Sequence, residues 1–99
     1  MKIVWTENAI RRIEDIASHI SENSPRASQK WKGLIYQKTR RLRTHPKMGR
    51  RVPETDRDEI REIFHGNYRI VYRIESNHIS ILTVRHGKQL LPRSEISEK

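Results

Sequence analysis

The sequence contains no cysteine, which excludes disulfides, thiolate nucleophiles and thiolate metal sites, and fits a reducing compartment. Long apolar runs are missing too. No stretch approaches the roughly 20 residues that span a bilayer, and the opening MKIVWTENA has no secretory apolar core. A soluble, cytoplasmic protein is therefore expected. The five histidines (His19, His45, His65, His78, His86) include no pair one helical turn apart, so neither a metal nor a cofactor is expected. Apolar residues make up only 33% of 99 positions, enough for one modest core. We therefore expect a single domain over residues 1–93 and a polar C-terminal tail over residues 94–99, with no internal repeat or low-complexity stretch.

Acidic residues are missing from one long segment. Between Arg26 and Arg51 stand ten Lys and Arg and no Asp or Glu, whereas outside it 11 basic residues face all 12 acids. The net charge of +9 thus comes from this segment, a potential suited to nucleic acid, a ribosomal surface or an acidic protein.

The pattern of what is present predicts an α+β fold. Lys2–Trp5 is a short β-prone run, after which Thr6 offers an N-cap and Glu7 a first-turn carboxylate. Ala9, Ile13, Ile16, Ala17 and Ile20 then recur at helical spacing. Ser24-Pro25 starts a second helix with the stripe Ala27, Trp31, Leu34, Ile35 and Leu42, which Pro46 and Gly49 end soon after His45. That stripe marks Trp31 and Leu34 as core rather than base-stacking residues. Lys30, Arg40, Arg41 and Arg43 lie on the outer face, where solubility alone could explain them. Gly49 to Asp58 reads as a surface loop. Beyond it, Glu59 to Phe64, Tyr68 to Ile74 and Ile79 to Arg85 read as consecutive antiparallel strands separated by His65-Gly66-Asn67 and Glu75-Ser76-Asn77. The helical hairpin should cover the sheet face that carries Ile70, Tyr72 and Ile74, with Ile79, Ile81 and Thr83 alternating against Ser80, Leu82 and Val84.

The ordered motifs Val4-Trp5-Thr6, His45-Pro46-Lys47-Met48-Gly49-Arg50, Arg61-Glu62-Ile63, Asn67-Tyr68-Arg69-Ile70-Val71-Tyr72-Arg73-Ile74 and Val84-Arg85-His86-Gly87-Lys88 resemble the RelE/ParE toxin superfamily. The resemblance covers nearly the whole chain. It implies the toxin of a type II toxin-antitoxin pair, an inhibitor of growth masked by a cognate antitoxin whose segment folds on binding as a helix or an added strand. The superfamily has two trades: ParE-like members inhibit DNA gyrase, and RelE-like members are metal-independent endoribonucleases that cleave mRNA on the ribosome. By ungapped register Glu62, Gln89 and Glu95 stand where the nuclease set has Lys, Arg and Tyr, so the resemblance is closer to ParE. Inhibition of gyrase by direct binding is the reading this favours. The alternative is the endoribonuclease, with Arg69 stabilising the transition state and His86 as general acid. A plain basic nucleic-acid-binding module is a third class, without a helix-turn-helix, zinc or RRM signature to support it.

Arg69 falls on the strand face opposite Tyr68, Ile70, Tyr72 and Ile74. That alternation predicts an exposed guanidinium, free to grip phosphate or carboxylate or held in a solvated cross-strand pair. Period-2 counting puts His86 on the side of Val84. Arg61, Arg85 and Lys88 should add positive charge around the same face, so that Arg61, Arg69, Arg85, His86 and Lys88 form the candidate surface for target or antitoxin.

Overall fold

The computed structural model describes residues 1–96. Its elements are β1 (Lys2–Trp5), α1 (Glu7–Ser21), α2 (Pro25–Arg40), a 3₁₀ turn (Arg41–Arg43), β2 (Arg50–Arg51), β3 (Ile60–His65), β4 (Tyr68–Ile74), β5 (His78–His86) and α3 (Arg93–Ile96). The five strands form one mixed sheet in the order β1-β5-β4-β3-β2. β1 runs parallel to β5, and the other neighbours are antiparallel. Among the described residues no helix is long and apolar enough to cross a membrane.

Both long helices begin where the capping residues predict. Thr6 accepts a hydrogen bond from the Ala9 N–H and donates to the Ile81 carbonyl (2.8 Å), so the first cap is also tied to the sheet. Ser24 accepts from the Ala27 N–H, with Pro25 in the first turn. Ala9, Ile13 and Ala17 of α1 pack with Trp31 and Ile35 of α2, and with Ile63, Ile70, Tyr72, Ile79, Ile81 and Val84 of the sheet. The helices thus cover the face that Ile70 and Tyr72 predict.

Four local readings need correction. The stripe of α2 runs through Ser28, Trp31, Ile35 and Thr39, while Ala27 and Leu34 are exposed. Ser28 Oγ donates to the Ala17 carbonyl across the hairpin (2.6 Å), so a hydroxyl with a partner takes a place that apolar counting gives to alanine. Arg50 and Arg51, assigned above to a loop, pair with Glu62 and Arg61 as an edge strand. Val71 pairs with Thr83 but Tyr72 pairs with Ile81, so an extra residue on β5 makes a bulge. The core side of β5 therefore reads Ile79, Ile81 and Val84, and Thr83 leaves the alternation.

The last correction concerns the sheet face away from the helices. It is covered by the chain after Arg51 and by the C-terminal segment, with Val52, Ile60, Val71, Leu82, Leu91 and Ile96 forming a second small core. Residues 94–96, assigned above to a polar tail, end in the buried Ile96. The rest of that tail, residues 97–99, lies outside the described residues.

Candidate functional site

On this second face Arg69 is the central charge. Its register partners are Phe64 on β3 and Arg85 on β5, which places it opposite the helices as alternation predicts. It is nevertheless only 4% exposed. Nε donates to Glu62 Oε1 (2.6 Å), Nη1 and Nη2 to the two Glu54 oxygens (3.0 and 2.8 Å), and Nη1 also to the Gln89 carbonyl (3.1 Å). Arg50 Nε donates to the other oxygen of Glu62 (2.7 Å). A guanidinium under two chain segments would cost several kcal/mol if unpaired, and the two carboxylates offset that cost. The hydrogen bonds from Arg69 act against burial and, with the Leu91 N–H, hold the Glu54 carboxyl at about 2. Bonds to Glu54 and Glu62 in turn push the Arg69 guanidinium up from its ordinary value.

The other candidate residues are not gathered around it. Arg61 is the register partner of Tyr72 and so lies on the helix side, where it donates to the Gly49 carbonyl (2.8 Å) and Asp58 Oδ1 (2.7 Å). Arg85 shares the face of Arg69, but its guanidinium is committed to Glu95 (2.9 Å to each oxygen). Glu95 accepts also from Arg12 (2.7 Å) and Thr83 (3.0 Å). Burial works to raise the Glu95 carboxyl, but Arg85, Arg12 and Thr83 together hold it at about 2. Lys88 is exposed in the turn after β5, its backbone N–H donating to His86 Nδ1 (3.3 Å).

His86 is the register partner of Tyr68, on the helix side, where the two rings meet edge to face with centroids 5.8 Å apart. With Arg12, Asp15 and His19 they line a groove of about 370 Å³. Arg69 and His86 thus sit on opposite faces of the sheet and do not converge on one reacting atom. Among the described residues no group of three or more His, Asp or Glu is placed to hold a metal ion. Sequence reasoning missed the carboxylates Glu54, Glu62 and Glu95 as the partners that define this region. Glu62 was within reach of it: on a hairpin turning at Gly66 and Asn67 it lies diagonal to Arg69. Glu54 and Glu95 come from a loop and a tail whose paths no local pattern reveals.

The whole-chain comparisons agree with this topology. A family model described as "ParE toxin of type II toxin-antitoxin system, parDE" matches residues 3–91. A Sinorhizobium fredii protein named "Putative toxin Y4kP" is 33% identical over 94 residues, covering 93% of this chain and 94% of that one. The chromosomal ParDE toxin-antitoxin system from P. aeruginosa includes a chain that superposes with a TM-score of 0.71 at 19% identity, over 87% of this chain and 95% of that one. A chain of the RelBE2 toxin-antitoxin complex from Mycobacterium tuberculosis gives 0.55 at 20% identity, over 86% and 95%. At such identities the two structures speak for the fold, and the family assignment rests on the model and the relative. The chain belongs to the ParE family of toxins of type II toxin-antitoxin systems.

Proposed function

We propose that this toxin arrests growth by binding DNA gyrase in the cytoplasm, without covalent chemistry of its own, and that a cognate antitoxin neutralises it. The observation that carries this reading is the state of Arg69. A guanidinium that stabilises a phosphorane must offer its donors to the phosphate, whereas four of those at Arg69 are spent on Glu62, Glu54 and Gln89. His86, the proton donor of the nuclease alternative, lies across the sheet from it. Inhibition by surface binding needs no such convergence.

The test is a paired assay on the purified protein. Supercoiling of relaxed plasmid by gyrase should be blocked, or cleaved DNA trapped, while mRNA in the ribosomal A site stays intact. Cleavage of that mRNA, abolished by His86→Ala and unaccompanied by any effect on gyrase, would replace this reading with the endoribonuclease.

A further inference from the structure

Along α2 and into the turn that follows it, Arg26, Lys30, Gly33, Gln37, Arg40 and Arg41 recur three and four residues apart, and all six are exposed. They form one stripe on the helix surface, opposite the buried Ser28, Trp31, Ile35 and Thr39. No Asp or Glu occurs in this helix. Elsewhere Arg12, Arg50, Arg69 and Arg85 are bound to carboxylates, as is Lys32 of the same helix, to Glu14 (2.9 Å). Among the described residues the four cations of the stripe have no ion-pair partner.

Two members of the stripe work against the helix that carries them. Arg26 stands in the first turn, where the macrodipole favours a carboxylate and none is present. Gly33 lies in the middle of the helix, where glycine is among the poorest helix formers. A Cβ at Gly33 would meet nothing within 4 Å, so packing inside the molecule does not require the glycine. Solubility accounts for the cations but not for a bare patch between them. Close approach of an anionic body from outside accounts for both.

The arrangement also selects the kind of body. The stripe carries no apolar side chain, whereas the centre of a protein interface is built from apolar and aromatic groups. Trp31 is buried and Tyr36 is engaged edge to face with Trp5 (centroids 5.0 Å), so neither offers a free ring on which unpaired bases could stack. At ~1.5 Å per residue the pair Arg26 and Lys30 stands roughly 19 Å along the axis from the pair Arg40 and Arg41. The major groove of B-DNA, about 12 Å wide between its two backbones, admits a helix, and that of A-form RNA is too narrow.

We infer that the outer face of α2 binds duplex DNA, lying across the major groove with Arg26 and Lys30 on the phosphates of one wall and Arg40 and Arg41 on those of the other. Gly33 lets the helix settle between the walls. The contacts are to the backbone, so binding is indifferent to base sequence. The inference stands apart from the choice between gyrase and ribosome, because it concerns the toxin and DNA alone.

The test is fluorescence anisotropy of a labelled 20-base-pair mixed-sequence DNA duplex with the purified full-length protein, without gyrase, across a salt series. The duplex should bind at 50 mM salt, and log K should fall with log salt at a slope of about −3 to −4, as expected for four neutralised phosphates. Arg40→Gln with Arg41→Gln should weaken binding at least tenfold and flatten the slope by about 2. Arg51→Gln with Arg93→Gln, which removes the same charge from exposed positions away from α2, should change binding less than threefold. Gly33→Leu should melt no lower than the parent, because leucine favours the helix and its Cβ has room, yet bind the duplex at least fivefold more weakly with the slope unchanged. No binding at 50 mM salt, equal losses from the two double variants, or full binding by Gly33→Leu would each overturn the inference. So would equal or tighter binding of a duplex RNA or single-stranded DNA of the same sequence, or of poly-glutamate, which stands for an acidic protein.

Discussion

Arg69 ties three separate segments together: β3 through Glu62, the loop after β2 through Glu54, and the chain after β5 through the Gln89 carbonyl. Removing one member of a buried charged cluster is costly because its partners stay buried and uncompensated. Arg69→Ala leaves Glu62, whose side chain has no solvent exposure, with Arg50 alone, and leaves Glu54 without a cation. A loss of about 3–5 kcal/mol is expected in urea denaturation. Replacing both ends, as Arg69→Met with Glu62→Gln, should recover part of that loss. If Arg69→Ala instead costs less than about 1 kcal/mol, the range of an exposed ion pair, the guanidinium is free in solution. It would then regain standing as a ligand for phosphate.

At the scale of elements, the sequence is most legible where neighbours along the chain decide the outcome. Thr6 and Ser24 cap helices because an N-cap is a local hydrogen bond, and Tyr68 to Ile74 alternate because strand geometry is local. The bulge on β5, the edge strand at Arg50–Arg51 and the short helix α3 depend on partners far along the chain. Glu95 shows what a local reading of residues 94–96 leaves out. Residues 94–99 are polar apart from Ile96, yet three groups, on α1 and β5, wait for that one carboxylate. Hydrogen bonds to a charged group contribute about 1.5–3 kcal/mol each, so Glu95→Ala should release α3 well before the rest unfolds. Amide exchange at Leu91 and Ile96 should then rise by tenfold or more for each ~1.4 kcal/mol lost. Unchanged exchange there would mean that Leu91 and Ile96 hold the segment by apolar packing alone.

For the whole molecule the same carboxylates set the response to acid. Glu54 and Glu95 are each lowered from 4.5 to about 2 in the folded protein, so the unfolded chain takes up these protons first as the pH falls. Their contribution to stability is complete above about pH 4.5 and is lost progressively towards pH 2. Within that window each group contributes a slope of up to about 1.4 kcal/mol per pH unit, because the unfolded state holds one proton more. The net charge of +9 at neutral pH only grows as carboxylates are neutralised, and self-repulsion acts in the same direction. The parent protein should therefore lose stability steeply below pH 4.5, in a transition followed by circular dichroism across a pH series at fixed ionic strength. Glu54→Gln with Glu95→Gln should start from lower stability at pH 7 and show a markedly flatter slope in the window, since neither position then binds a proton. Parallel slopes for parent and double variant would show that other carboxylates govern acid unfolding and that these two clusters are not what holds the second sheet face closed.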